Sequence, residues 1–290
     1  MPEIRKYATA GAFRQALEER LKAISFEREI DFQRLRRQVA FDRFLARVVH
    51  EPSPDLVLKG GYAMELRFVT GRSTRDLDFT LRAGNNEAAL DRLQRAGALD
   101  IGDFFSFRVG EAMMDLEAAP YGGARYPVES RLDGRTFVKF HIDVGIGDVI
   151  LEPLESMVTR DWLVFAEIAP PTVAMIAREQ QFAEKIHAYT VPRSNRNSRV
   201  RDLVDLYLLV KSGSLDSGRC AEALRRTFER RATHRLPHDL ASPPTDWERP
   251  FRAMVEECRI EIDCGSAFAE VQRFWWKLGS QQPITVDRET

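Results

Sequence analysis

The sequence has no apolar run long enough to span a lipid bilayer, and its first ten residues, MPEIRKYATA, lack the apolar core of a secretory signal peptide. We therefore expect no membrane segment and a cytoplasmic location. Cysteines are few, and Cys220, Cys258 and Cys264 show neither Cys-x-x-Cys spacing nor paired histidines. Buried thiols are thus expected rather than a zinc site. The sequence also contains no internal repeat and no low-complexity tract.

What the sequence does have is the composition of a folded globular protein, with 44% of its 290 residues hydrophobic and 30% charged. Its apolar spacing predicts two N-terminal helices, near residues 9–25 and 28–50. Strands and short helices are predicted from 56 to 148, with a tight hairpin turn at Asp133-Gly134. Beyond Pro170-Pro171 the pattern is helical, so the chain is expected to end in a largely helical part.

Two aspartates, Asp76 and Asp78, stand two residues apart in the predicted strand DLDFTL. Residues at this spacing point to the same face of a strand, and the alternating Leu77 and Phe79 face a core on the other side. Such a carboxylate pair can hold a hard divalent cation with oxygen ligands. An isolated Asp-x-Asp is more often a solvated strand end, so this pair needs support from elsewhere in the chain.

A glycine pair, Gly60-Gly61, lies between a short apolar strand and a predicted helix, ahead of these aspartates. Glycines at a helix start let the backbone approach a phosphate, whose charge the exposed amides and the helix dipole favour. Taken alone, the pair is usually only a turn. Together, the glycines and the aspartates suggest a site for a metal-bound nucleoside triphosphate.

A third carboxylate is available on a later strand, FVKFHIDVGIGD, where Asp143 shares a face with Lys139 and His141. In two-metal phosphoryl transfer, a third acidic ligand steadies the cation that activates the attacking hydroxyl. Asp143 is therefore our candidate third ligand. Asp148 remains the alternative, although aspartates at strand ends usually cap turns.

Four segments between residues 56 and 210 together resemble the nucleotidyltransferase superfamily, and specifically its AbiEii/AbiGii toxin branch, which includes the MenT toxins. KGGYAMELR and GRSTRDLDF resemble the superfamily's first motif, a glycine pair, a helix and Asp-x-Asp. EQQFAEKIHAYT resembles the AbiEii EK-x-x-A segment. RVRDLVDL resembles the family's R-x-K-D-x-x-D-L motif, with Arg201 in place of its lysine.

The resemblance implies an α+β fold, in which a mixed sheet flanked by helices is followed by a largely helical C-terminal part. It suggests a nucleotidyltransferase core with the N-terminal helices over residues 1–165, and a mainly helical part completing the active site over 166–290. The implied function is that of a metal-dependent toxin of a type IV toxin-antitoxin or abortive-infection system. Such an enzyme transfers nucleotides from an NTP to RNA, with the 3′ end of tRNA as the expected acceptor, and releases pyrophosphate. A cognate antitoxin protein is the implied partner.

The resemblance also assigns roles in the first half of the chain. Asp76, Asp78 and Asp143 are expected to bind Mg²⁺ or Mn²⁺, and the phosphates are expected to lie against Lys59, Gly60 and Gly61. Thr74 stands two residues before Asp76, where some MenT-like toxins carry a phosphorylatable serine. It is a candidate regulatory phosphorylation site, and the alternative is a loop threonine that makes a local hydrogen bond.

In the second half, Lys185 is expected to bind the nucleotide's phosphates and Asp202 to orient Lys185 or the nucleotide. Arg201 keeps the charge of the family's lysine with a different geometry, and it is the remaining candidate for nucleotide binding. Asp205 is interpreted as structural. The polar segment VPRSNRNS, 191–198, is interpreted as a mobile loop over the site.

Two other functions remain open on the sequence. One is a kinase-like enzyme that transfers a phosphoryl group to a protein or a small molecule. The other is a non-enzymatic module that uses the same fold to bind RNA or a partner protein.

Overall fold

The computed structural model describes residues 6–50, 55–68, 71–116, 119–192 and 199–281. Most of the polar segment interpreted as a loop over the site, 193–198, lies outside these ranges. The chain forms two compact units. The first comprises residues 1–66, 73–147 and 156–175, and the second comprises 67–72, 148–155 and 176–290. The predicted division at residues 165/166 stays a prediction.

Two long helices open the first unit, α1 (Ala10–Arg28) and α2 (Phe32–Val48). The Thr9 side chain caps α1 and the Asp31 side chain caps α2, each accepting a backbone N–H of the first turn. Glu29 takes a left-handed conformation that ends α1 and allows the chain to turn into α2. The two helices predicted from apolar spacing are therefore present, with the break between them at these caps.

Within the described ranges, eight strands form one mixed sheet in the order β3-β5-β6-β2-β1-β8-β7, with β4 paired to β5. The strands are β1 (Leu56–Lys59), β2 (Asp76–Leu81), β3 (Phe105–Val109), β4 (Met114–Asp115), β5 (Gly123–Leu132), β6 (Arg135–Ile146), β7 (Glu155–Val158) and β8 (Thr172–Met175). β2 runs parallel to β6 and β1 parallel to β8, whereas β1–β2, β3–β5, β4–β5 and β5–β6 are antiparallel. The short β4, β7 and β8 were not anticipated, because segments of two to four residues carry little periodic signal.

The core of the first unit lies on one face of this sheet, beneath α1, α2 and α4 (Asn86–Ala98). On β6 the alternation is as predicted: Val138, Phe140, Ile142 and Val144 are buried, and the residues between them face the other side. The turn into β6 has positive φ at both central residues, 54° at Asp133 and 66° at Gly134, as a type I′ hairpin turn requires. A short helix, α3 (Gly60–Arg67), connects β1 to the loop before β2.

The second unit is mainly helical. Its helices are α5 (Arg178–Thr190), α6 (Val200–Lys211), α7 (Ser217–Arg231), α8 (Glu248–Glu257) and α9 (Cys264–Gln281). Helix α5 packs on α6 and α7, and α6 packs on α9. The three cysteines are buried thiols, as expected, and form no disulfide among the described residues. None of the helices in the described part of the chain is long and apolar enough to cross a membrane. The α+β architecture with a helical C-terminal part is thus confirmed.

Candidate active site

A row of four charged side chains crosses the sheet of the first unit. Register pairs Lys59 of β1 with Asp78 of β2, Asp78 with Asp143 of β6, and Asp143 with Arg125 of β5. Residues directly opposite each other on neighbouring strands project to the same face. The strands therefore place two carboxylates side by side, with one basic residue at each end of the row.

Asp76 stands two residues before Asp78 and projects to the same face of β2. The alternate residues of this strand, Leu77 and Phe79, are buried in the core. Asp76 lies opposite His141, whose Nδ1 is 3.3 Å from Asp76 Oδ1. The alternation read from the sequence therefore holds, and the structure brings Asp76, Asp78 and Asp143 onto one face of neighbouring strands.

Arg125 is the main contact that sequence reasoning missed. Its Nε and one terminal nitrogen donate to Asp143 Oδ1 and Oδ2, both at 2.7 Å, and its terminal nitrogen lies 3.5 Å from Asp76 Oδ2. The hydrogen bonds to Asp143, together with the charges of Asp76 and Asp78, raise the pKa of Arg125 above its ordinary value. The guanidinium is therefore a fixed positive charge among the carboxylates.

The glycine pair contacts this group of acids directly. Gly60 has φ of +65°, and a Cβ there would stand 2.1 Å from Asp78 Oδ2. The Gly61 N–H donates to the same Asp78 oxygen at 3.2 Å, and a Cβ on Gly61 would stand 2.6 Å from Thr74 Oγ1. Thr74 in turn donates to the main-chain oxygen of Asp76 at 3.3 Å. Glycine is thus required at Gly60 by conformation, and at both positions by the close approach of neighbouring side chains.

The three aspartates have the ligand chemistry of a magnesium site, because they offer carboxylate oxygens and no soft donor. Among the described residues, however, no group of three or more His, Cys, Asp or Glu is arranged to hold a metal ion. In this arrangement both oxygens of Asp143 accept from Arg125. The oxygen donors fit a magnesium ion by their chemistry, but in the present arrangement the three acids do not form a metal-binding group and the Arg125 guanidinium supplies the positive charge.

A second polar cluster lies in the second unit, around Lys185 of α5. Its Nζ is 2.9 Å from Asp202 Oδ1 and 2.7 Å from Asp205 Oδ2, both on α6. Arg72 donates to both oxygens of Asp205, from Nε at 2.9 Å and a terminal nitrogen at 2.8 Å. The sequence resemblance predicts that Asp202 orients Lys185 or the nucleotide and that Asp205 is structural. The structure shows that the lysine contacts both carboxylates.

Burial and charge act in opposite directions on this cluster. Burial by itself lowers the pKa of Lys185, but the carboxylates of Asp202 and Asp205 outweigh it and raise that pKa above its ordinary value. Burial likewise favours the neutral form of Asp205, yet Lys185 and Arg72 bring its pKa below the usual range. Both groups are therefore charged at neutral pH, and the lysine is held at the buried edge of α5.

Two further site residues considered from the sequence are Arg201, for nucleotide binding, and Asp148, as the alternative third metal ligand. Arg201 is exposed on α6. Asp148, the alternative third ligand, belongs to the second unit, and its side chain is 1% exposed and accepts from Arg231 at 2.7 Å. Asp143 is the acid that β6 places beside Asp78. That Lys185 and Asp202 act on the same nucleotide as the three aspartates stays a prediction.

A family model and solved structures match this chain. A family model described as "Nucleotidyl transferase AbiEii toxin, Type IV TA system" matches residues 43–278. The solved structure of MenT4, a nucleotidyltransferase toxin from Mycobacterium tuberculosis H37Rv, is 16% identical with a TM-score of 0.53, over 91% of this chain and 97% of that chain. JHP933 from Helicobacter pylori is 15% identical with a TM-score of 0.49, over 87% of this chain and 94% of that chain. No curated protein sequence matches.

The likeness to MenT4 shows a shared fold, and the family match spans most of the chain, from α2 to α9. The residues that carried the sequence resemblance all fall inside the matched range. The chain therefore belongs to the AbiEii family of nucleotidyl transferase toxins of type IV toxin-antitoxin systems.

Proposed function

We propose that this nucleotidyltransferase toxin transfers a nucleotide from an NTP to the 3′ end of an RNA, with tRNA as the acceptor, and releases pyrophosphate. The observation that carries the proposal is the meeting of Asp76, Asp78 and Asp143 on one sheet face, with the Gly61 amide on Asp78. Oxygen ligands beside a glycine pair at the start of a helix suit a metal-bound triphosphate better than any other common substrate.

In this proposal Asp76, Asp78 and Asp143 hold Mg²⁺ or Mn²⁺. When bound, the metal would offset the charge of the triphosphate and lower the pKa of the attacking 3′-hydroxyl. Asp143 would orient that hydroxyl from β6, where it lies opposite Asp78 of β2. Lys59, at the end of the charged row, would contact a phosphate.

The glycine pair would hold the triphosphate through its backbone. The Gly61 N–H already donates to an anionic oxygen, that of Asp78, so it is directed at negative charge. No side chain at Gly60 or Gly61 stands between this backbone and a ligand. A phosphate oxygen could therefore accept from the Gly61 N–H only by taking the place of Asp78 Oδ2, which occupies this position in the structure.

Lys185 is proposed to contact the phosphates and to offset charge on the leaving pyrophosphate. Its side chain is 14% exposed, and Asp202 and Asp205 hold its ammonium group. Asp202 would keep Lys185 oriented, and exposed Arg201 would add a further cation for the nucleotide.

Thr74 stays a candidate regulatory phosphorylation site. A phosphate on its hydroxyl would place about two negative charges beside the carboxylates, which would disfavour a triphosphate. The hydroxyl now makes the local hydrogen bond to the Asp76 main-chain oxygen. Failure to find phosphate on Thr74 by mass spectrometry, after incubation with a cognate kinase-like partner, would remove this role.

The family implies a cognate antitoxin.

The enzymatic proposal is tested by incubating the protein with Mg²⁺, total RNA and each NTP, labelled at the α- or at the γ-phosphate. Transfer of α-label to RNA supports nucleotide transfer. Transfer of γ-label to any acceptor would indicate a kinase-like enzyme, and no transfer at all would indicate a binding module.

Two variants control this assay. Asp76→Asn should abolish α-label incorporation, because it removes one charged ligand from the face shared with Asp78. Asp91→Asn makes the same change on α4, where Asp91 pairs with Arg95 and is 60% exposed. It should leave incorporation at the wild-type level. A fully active Asp76→Asn protein would refute the metal role.

A further inference from the structure

Arg125 occupies the oxygens that a metal would need. Two of its N–H groups take both carboxylate oxygens of Asp143, and one terminal nitrogen lies 3.5 Å from Asp76 Oδ2. This two-pronged contact is the strongest common geometry between an arginine and a carboxylate. Two of the three proposed metal ligands are therefore engaged by one guanidinium.

The arrangement is built into the strands. Arg125 faces Asp143 directly in the β5–β6 register, and Asp78 faces Asp143 from the other side in the β2–β6 register. The Arg125 side chain is 29% exposed and Asp143 is 15% exposed, so the contact is shielded on most sides. Because 29% of the Arg125 side chain is exposed, a rotation of this side chain toward solvent would release the carboxylates.

We propose that Arg125 is a latch that competes with the metal: it holds Asp143 and Asp76 in the absence of a divalent cation and must leave Asp143 before all three aspartates bind one. This inference rests on the proposed metal role of the three aspartates. A carboxylate oxygen that accepts hydrogen bonds from a guanidinium binds a magnesium ion more weakly, and the positive charge of the arginine also repels the cation. The latch therefore lowers the affinity of the free protein for divalent cations.

The direct test measures metal binding without catalysis. Mn²⁺ is titrated into the full-length protein, and free Mn²⁺ is followed by its electron paramagnetic resonance signal. Arg125→Met should bind Mn²⁺ about tenfold more tightly than wild type, equivalent to about 1.4 kcal/mol. Arg125→Lys keeps a charge but loses the two-pronged geometry, so its affinity should fall between the two.

Arg131→Met is the matched control. Arg131 lies on the same strand as Arg125, but its guanidinium donates to the Gly134 main-chain oxygen and lies 4.0 Å from Glu129. The variant loses the same charge without touching the aspartates, so its Mn²⁺ affinity should stay within about twofold of wild type, as expected for a distant exposed charge.

A second readout follows the arginine itself. In a protein labelled with ¹⁵N-arginine, the Nε–H resonance of Arg125, assigned by its loss in Arg125→Met, should shift as Mg²⁺ is added. A Nε–H resonance that stays unchanged at Mg²⁺ saturation would overturn the latch. A folded Arg125→Met with wild-type Mn²⁺ affinity would also overturn it while leaving the metal role intact. Absence of Mn²⁺ binding in wild type and in both Arg125 variants would instead refute the metal role itself, and the latch with it.

Discussion

Replacing Gly60 by alanine tests the link between the glycine turn and the acidic face. Gly60 has φ of +65°, where an L-residue costs roughly 1–2 kcal/mol relative to glycine. The new Cβ would also stand 2.1 Å from Asp78 Oδ2 and 2.4 Å from its Cγ, so the carboxylate must move. Its hydrogen bond from Gly61 would then be lost, at a further cost of about 1 kcal/mol.

The sequence supplies a control with the same backbone and no neighbour. Gly134, in the β5–β6 turn, has φ of +66°, and a Cβ added there would meet nothing within 4 Å. Gly134→Ala should therefore lose only the conformational part, roughly 1–2 kcal/mol, whereas Gly60→Ala should lose about 2–3 kcal/mol. Urea unfolding followed by circular dichroism measures both.

Gly60→Ala and Gly134→Ala should differ more in activity than in stability. Displacing one ligand by about 1 Å can cost on the order of 100-fold in rate, so Gly60→Ala should lose at least that much nucleotide transfer. Gly134→Ala should transfer nucleotides like wild type at a temperature where both variants are folded. Equal activity of the two variants would refute the argument that Gly60 is needed to make room for Asp78.

Three further outcomes follow. Asp205→Asn should destabilise the protein by about 3–5 kcal/mol in a urea titration, because it removes the buried carboxylate that Arg72 and Lys185 share. Asp202→Asn should cost less, because Lys185 and Arg72 both keep Asp205. Burial raises the pKa of Asp42 to about 7, so the folded state binds the carboxyl proton of Asp42 more tightly than the unfolded state does. The free energy of unfolding should therefore fall as pH rises from about 4 to about 7, by up to roughly 4 kcal/mol. Asp42→Asn should remove this pH dependence, and an unchanged profile would contradict the raised pKa of Asp42. Lys139 is exposed on the sheet face that carries Asp143, so Lys139→Glu should weaken RNA binding in a filter assay. The slope of log affinity against log salt concentration should become shallower by at least ~0.7. The control Arg95→Glu on α4 should change neither quantity.

Much of the fold was readable from the sequence. The two-residue alternation in DLDFTL and FVKFHIDV fixed which side chains face the core, because a strand has no freedom to change that period. The turn at Asp133-Gly134 acts within a few residues, so local chemistry was enough to predict it. The caps at Thr9 and Asp31 were not predicted, and α2 begins at Phe32 rather than near residue 28. The short strands β4, β7 and β8 could not be predicted, because they form by pairing with neighbouring strands and their own residues show no clear alternation.

The partners of the charged side chains were set by long-range contacts. Counting back from the hairpin turn, where Leu132 pairs with Arg135, an unbroken ladder would place Ala124 opposite Asp143. An irregularity at Ser130/Arg131 shifts the register by one residue and puts Arg125 there instead. Arg72 reaches Asp205 across 133 residues of sequence, which no local pattern reports.

By itself, the sequence determined which residues are acidic, which face of each strand they take and which turn positions lack a side chain. These properties follow from residue type and from the geometry of a single strand or turn. Only the tertiary structure decided which cation each carboxylate meets. That choice depends on strand register and on helix packing, where a shift of one residue replaces an alanine with an arginine beside Asp143.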